Sequence, residues 1–414
     1  MDEQQMQFVD PEWQPPNYNR PGVINLDPRE RPSSFETATG EYASQEIPYR
    51  ERGKLVPQRR TRRKVWFIVI PALLLILCLV LVSGLALSFS SHSSVSPSSV
   101  LVKPAQQGQT SFGTLSETQV LPVHNYVPTS SGDNEPIVVI SNDVGSVHVH
   151  IGGPRDSVIV VATYHDDKGN FDGMSVPATE SGPNNNTITI ATNSDTRDSQ
   201  SRSIDLDITV PFGSSTQLTE GSGVVQIEGP SADTTQANAQ VTINSGSVEI
   251  SGVEGSIGVQ SQSAPVVLRD LGGSISATTV NSSISAIKLS GLVTLNSSTG
   301  SIVANSVQWG GSISTGGSGS ITLSNATINQ QTLLKTDAGS INFQGTIESG
   351  ANVQFESGSG AITIALPASS AFHLDFSSIS GTLKNDFGSN NVGSGQPATL
   401  QITTSSGSIY LKKQ

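Results

Sequence analysis

Residues 246–304 read GSVEISGVE GSIGVQSQS APVVLRDLG GSISATTVN SSISAIKLS GLVTLNSST GSIVA, and the chain here divides into units of nine. Gly246, Gly255, Ala264, Gly273, Ser282, Gly291 and Gly300 head successive units. The third and fifth positions are apolar throughout: Val248 and Ile250, Ile257 and Val259, Val266 and Leu268, Ile275 and Ala277, Ile284 and Ala286, Val293 and Leu295, Ile302 and Ala304. Apolar side chains two residues apart share one face of a strand, and a small residue at the head lets the chain turn sharply. Each unit is therefore expected to be a turn followed by a short, one-sided strand. Burying two such side chains stabilises by about 1.5–3 kcal/mol each, while ordering the backbone costs about 1–2 kcal/mol per residue. One unit cannot stand alone, so neighbours must stack into a continuous core.

The beat begins loosely at Ser222-Gly223-Val224, settles at Gly246, and loosens beyond Gly300, with later turns at Gly311, Gly319, Gly339, Gly360 and Gly407. Two units make eighteen residues, which suits one coil of a two-faced β-solenoid; an antiparallel meander with one unit per strand is the alternative that the spacing leaves open. Upstream, Ile137 to Ile140, Val144 to Ile151, Val158 to Tyr164, Thr187 to Ala191 and Ile204 to Val210 are rich in β-branched residues and separated by Gly, Asn, Asp and Pro. They read as further strands. The closing TSSGSIYLKK, Thr404 to Lys413, reads as a last unit whose lysines cap an open edge.

Outward from this region the composition divides the chain. The sequence has 414 residues, 22 Lys and Arg, 34 Asp and Glu, and a net charge of −12. Residues 1–64 hold 11 basic and 10 acidic side chains, which leaves 11 basic and 24 acidic for the remainder. An acidic C-terminal part opposes nucleic-acid binding, because phosphate contacts need clustered Lys and Arg. The single cysteine, Cys78, excludes a disulfide within the chain and any cysteine-based metal site.

Residues 65–89, VWFIVIPALLLILCLVLVSGLALSF, carry no charge and are long enough to span a bilayer as a helix. Arg59, Arg60, Arg62, Arg63 and Lys64 precede them, and no basic residue follows until Lys103. The positive-inside rule then places the N-terminus in the cytoplasm and the C-terminal part outside. A cleaved signal peptide would need a shorter apolar run and a shorter leader. Residues 1–64, rich in Pro, Arg, Glu and Gln, are expected to form a disordered cytoplasmic tail. Residues 90–134, rich in Ser, Pro and Gln, are expected to form an extended stalk. The β-strand domain then occupies residues 135–412.

The stretch LDITVPFGSST (206–216), with EGSGVVQIEG, NSGSVEISG, GSGSITLSN and SSGSIYLKK after it, resembles the bacterial β-strand-repeat family labelled "putative adhesin". The resemblance covers about residues 135–412 and rests on a degenerate Ser-Gly-Ser-Val/Ile element. It implies a β-solenoid-like domain tethered to a bacterial membrane, and it brings no catalytic residues.

The sixth positions of the units, Ser251, Gln260, Arg269, Thr278, Ile287, Asn296 and Asn305, form no ladder of carboxylates, so calcium coordination within the repeat is not expected. His148 and His150 share a strand face, and His165 with Asp166 and Asp167 ends the next strand; such a group could ligate zinc, but an exposed strand face and a polar hairpin turn are the favoured reading. Asn170-x-Asp172-Gly173 faintly follows a calcium loop, but Lys168 stands where the first carboxylate belongs. Arg269-Asp270 reads as a surface ion pair, and the abundant Ser, Thr and Asn read as solvated outward positions and turn formers.

The expectation is an all-β ectodomain, a β-solenoid of single-stranded β-helix type, on one transmembrane helix. Its expected function is non-enzymatic: adhesion or envelope interaction at the cell membrane, with a cell-surface polysaccharide, peptidoglycan or protein as partner and no nucleic acid. No catalytic, cofactor-binding or metal residue is assigned, and no cofactor is expected. The alternatives are an envelope-sensing signalling protein acting through residues 1–64, and a carbohydrate-active β-helix enzyme whose acidic side chains would converge on one face.

Overall fold

The computed structural model describes residues 113–123, 135–182, 186–194, 202–230 and 235–414. The tail (1–64), the apolar segment (65–89) and most of the segment 90–134 lie outside the described residues. Every regular element among the described residues is a strand, and no helix there is long and apolar enough to cross a membrane. The domain is all-β.

The third and fifth positions of the nine-residue units all point inward, from Val248 and Ile250 to Ile302 and Ala304, each at most 2% exposed. Their strands pair in parallel with partners 18 residues away. Residues 257–261 lie beside 275–279, 248–251 beside 266–269, and 266–269 beside 284–287. Consecutive units therefore belong to two alternating parallel series. Inward side chains from both series belong to one continuous apolar core, which also takes in the strands upstream of residue 228.

Two kinds of corner connect the series, and the seventh position of each unit distinguishes them. At one corner this position turns left-handed: Gly252, Asp270, Lys288 and Ser306 have φ between 51° and 67°, and Asn325 continues the row at 51°. Asp, Asn and Gly reach this region at little cost, whereas Lys288 and Ser306 do so against their preference. The following head glycine, Gly273 at φ 97°, completes the bend. At the other corner the seventh position is a hydroxyl buried inside the core: Ser261, Thr279, Ser297 and Thr315, with Thr336, Ser357 and Thr404 continuing the row. Ser261 donates to the Ala264 carbonyl (2.6 Å), Thr279 to Ser282 (2.6 Å), Thr315 to Gly319 (2.7 Å) and Thr336 to Gly339 (2.7 Å). Gly300 and Gly360 donate their backbone N–H to Ser297 and Ser357. These hydroxyls are not the solvated positions that composition suggested. A corner turned inward leaves carbonyls without a partner, and a buried Ser or Thr satisfies them.

Close approach fixes the head of this second corner. A Cβ on Gly339 would collide with the Gly319 carbonyl oxygen, one on Gly319 with that of Gly300, and one on Gly360 with that of Gly339. Beyond the regular part the spacing grows by single residues: Ile284 pairs with Ile302, Ile302 with Ile321, Ile321 with Ile341 and Ile341 with Ile362.

The ends depart from sequence order. Near the C-terminus, Ala398–Thr404 and Ile409–Lys413 insert between Asn352–Ser357 and Ile362–Leu366 on one side and Phe372–Ser378 and Leu383–Asn385 on the other. The closing segment is thus an interior pair of strands, and the outermost position belongs to residues 372–392. At the other end, Ile137–Val144 lies between Thr187–Ala191 and Ser215–Glu228, and Val147–Gly153 lies between Ser203–Pro211 and Ser215–Glu228. Antiparallel strands finish this end: Ser157–His165 pairs with Ser203–Pro211, and Thr114–Pro122 with Ser157–His165. Among the described residues, 114–122 therefore form an edge strand, which is not the stalk expected over residues 90–134. Edge pairing is made by backbone hydrogen bonds and needs little apolar burial, which is why Leu115 and Val120 remain about half exposed.

Candidate functional site

Val147–Gly153 alternates cleanly, burying Val147, Val149 and Ile151 and turning His148 and His150 outward. On one flank runs Ser203–Pro211, which buries Ile204, Leu206 and Ile208 and presents Asp205 and Asp207. On the other runs Ser215–Glu228, which buries Val225 and Ile227 and presents Gln226 and Glu228. The parallel register sets His148 beside Asp207 and Gln226, and His150 beside Thr209 and Glu228. Strand pairing alone thus brings two imidazoles between two carboxylates.

His150 bridges its neighbours: Nδ1 lies 2.7 Å from Glu228 Oε1, and Nε2 lies 3.3 Å from Asp207 Oδ1. The two imidazole rings lie 3.8 Å apart between centroids, tilted by 46°. His148 Nε2 is 3.5 Å from Glu228 Oε1 without making a hydrogen bond, and this buried nitrogen has no hydrogen-bond partner. One donor atom from each of His148, His150 and Asp207 falls within 4.8 Å of the others. The side chains are about one-third exposed for the histidines and about half exposed for Asp207 and Glu228.

The zinc grouping read from the sequence is thereby redrawn. His148 and His150 do come together, but with Asp207 and Glu228. His165 pairs with Asp205 instead, Nε2 to Oδ2 at 2.8 Å, while Asp205 Oδ1 accepts the Ser146 N–H. Asp166 is buried and held by Arg202, whose Nε lies 2.6 Å from Oδ2. That hydrogen bond is the main reason the Asp166 carboxyl lies below the usual aspartate range. Arg202 also donates to the carbonyls of Asn170 and Asp172. In the loop that faintly followed a calcium site, a guanidinium therefore takes the place of a cation. Asp207 and Glu228 were missed because they lie far along the chain from His150. Their only sequence signal is the outward phase of two alternating strands.

A second polar group is buried nearby. Glu220, 1% exposed, accepts from Asn142 Nδ2 (2.9 Å) and the Ser222 N–H (3.1 Å), and Thr192 donates to Asn142 Oδ1 (2.7 Å). Burial pushes its pKa up to about 7, against the partial compensation of these hydrogen bonds.

On the regular part, the outer face of one series is uncharged and shallow. Gln240, Gly258, Ser276, Thr294 and Ser312 form one outward row, and a depression opens around Gly258 between Gln240, Ser256, Gln260, Ser274 and Ser276. The ion pair expected between Arg269 and Asp270 is not formed. Each pairs across to a neighbouring strand, Arg269 with Glu249 (2.8 Å) and Asp270 with Lys288 (3.1 Å).

No family model matches the chain, and no curated protein matches it. A solved structure described as a "putative cell adhesion protein" from Clostridium sporogenes is similar over 72% of this chain and 100% of that chain, with 10% identity and a TM-score of 0.20. So slight a likeness carries no argument about this chain.

Proposed function

We propose that this chain is a single-pass membrane protein that presents a non-enzymatic β-solenoid outside the cell for adhesion or envelope interaction. The carrying observation is the uncharged outward row Gln240, Gly258, Ser276, Thr294 and Ser312, one residue per parallel strand. Adjacent strands stand about 4.8 Å apart, so the row offers a periodic series of hydroxyl and amide groups. Such a series suits weak, repeated contacts along a polar polymer, whose summed effect is avidity without a deep pocket. The parallel pairing at 18 residues supports the coil over the meander. The anchor and its orientation rest on the apolar run 65–89 and the arginines before it.

The test is co-sedimentation of the purified full chain with insoluble peptidoglycan and with cell-wall polysaccharide. Retention that falls when Ser276 and Thr294 are both replaced by Glu supports the reading. No retention on either polymer, or on intact cells, overturns it. Deleting residues 1–64 separates the signalling alternative, since adhesion should survive that deletion.

The carbohydrate-active alternative has one observation in its favour: Asp205, Asp207 and Glu228 lie on the same sheet face. All three are engaged by histidine, Asp205 by His165 and the other two by His150. Release of reducing sugar from a polysaccharide, lost in Asp207→Asn and Glu228→Gln, would move this reading ahead of adhesion.

A further inference from the structure

We propose that His148, His150 and Asp207 bind one divalent transition-metal ion of the zinc class, with Glu228 fixing the orientation of His150. The inference is independent of adhesion, because none of its residues belongs to the polar row: Glu228 pairs with Ser251 in one parallel series, whereas Gln240 heads the row in the other.

The donor set decides the class of ion. Two imidazole nitrogens and one carboxylate oxygen suit Zn²⁺, Cu²⁺ or Ni²⁺, whereas Ca²⁺ and Mg²⁺ take oxygen ligands almost exclusively. Bond lengths of about 2.0–2.1 Å from zinc to nitrogen or oxygen place neighbouring tetrahedral donors about 3.3 Å apart. His150 Nε2 and Asp207 Oδ1 already stand 3.3 Å apart. The His148 donor lies within 4.8 Å of both, so this ring must shift to reach bonding distance.

Two further features point to a ligand rather than to a simple ion-pair cluster. A histidine that binds metal through one nitrogen usually donates its other N–H to a carboxylate, which sets the tautomer and aims the lone pair. His150 has this arrangement, with Nδ1 2.7 Å from Glu228 Oε1 and Nε2 turned toward Asp207. His148 Nε2 is meanwhile buried without a hydrogen bond, although a ring nitrogen removed from water ordinarily finds a partner. A metal ion would supply it. Three protein ligands from two adjacent strands leave a fourth position for water.

The experiment is titration of the untagged full chain with Co²⁺, read by its visible ligand-field absorption, followed by displacement with Zn²⁺ and equilibrium dialysis for stoichiometry. One Co²⁺ per chain, displaced by one Zn²⁺, is expected. His148→Ala and His150→Ala should each weaken binding 100-fold or more, and Glu228→Gln about tenfold. His165→Ala, whose ring pairs with Asp205, should bind as the parent does. His150→Gln can still hydrogen-bond its carboxylate neighbours, and it serves as the ligand-deficient variant if the alanine forms lose their β-sheet circular dichroism. Absence of Co²⁺ and Zn²⁺ binding to the parent chain overturns the proposal. So does binding that survives in the folded His148→Ala/His150→Gln double variant, since that would place the metal elsewhere.

Discussion

The stack between residues 238 and 366 and the region upstream of it obey the same inward pattern yet treat charge in opposite ways. In the stack, residues of one phase sit a single strand apart, so a charged phase would set like charges side by side at a cost. Charges there occur instead as opposite pairs across neighbouring strands: Glu249 with Arg269, Asp270 with Lys288, and Lys335 with Glu356. Upstream, antiparallel strands and out-of-order insertions bring unrelated stretches together. Histidines and carboxylates gather there as His150 with Glu228 and His165 with Asp205. Repetition builds a neutral wall, and chemistry collects where repetition stops.

The sharpest way to break the stack is to act on its close-packed corner. Gly339→Val should cost about 4 kcal/mol or prevent folding, because the added carbons meet backbone on the preceding strand rather than a movable side chain. Urea denaturation of the folded chain measures this, and a loss below 1 kcal/mol would mean that the corner relaxes freely.

The junction between the two regions carries the next largest effect. Glu220 lies on the strand Ser215–Glu228, which pairs with both Ile137–Val144 and Asn238–Ser251. Its folded pKa of about 7 is raised from 4.5, so the folded chain holds the proton more tightly than the unfolded one. The resulting stability is complete below about pH 4.5 and is lost as the pH rises through about 7, to a limit of about 3 kcal/mol. Glu220→Gln should remove that slope and leave the variant more stable than the parent at pH 8. Thermal melts from pH 5 to pH 8 test it, and parallel slopes for the two chains would refute the assignment to Glu220.

The smallest effect sharpens the picture of the hydroxyl row. Thr315→Val keeps the shape but removes the donor to the Gly319 carbonyl, and it should cost about 1–2 kcal/mol. Replacing the exposed Thr294 by Val should change stability far less, and equal losses at the two positions would deny the buried hydroxyl its role.

Much of the inward architecture is legible in the sequence, because period-two alternation is a local property. The apolar third and fifth positions fall in the core, and the strands read from Ile137 to Val210 fall within a few residues of their observed limits. The hydroxyl row was open to view but misread. Ser261, Thr279, Ser297 and Thr315 recur every eighteen residues, yet Ser and Thr at a turn ordinarily face water. The candidate metal site was half legible. His148 and His150 share a face by local geometry, whereas Asp207 and Glu228 join them only through parallel pairing between distant strands. Likewise, nothing local tells Ile409–Lys413 that it will be covered by strands that precede it in the chain.

The lengthening repeat has a consequence for how the chain finds its alignment. Between Val248 and Ile302 every spacing is eighteen, and a strand displaced by one full repeat would meet a neighbour of the same inward phase. Beyond Ile302 the spacings of nineteen, twenty and twenty-one make each repeat fit one neighbour only. The interior there also turns aromatic, with Phe343 set edge-on against Phe355 at 5.8 Å. Slipping the uniform part is cheap to attempt, and slipping the graded part is not. The C-terminal repeats therefore act as the key that locks the register of the whole stack.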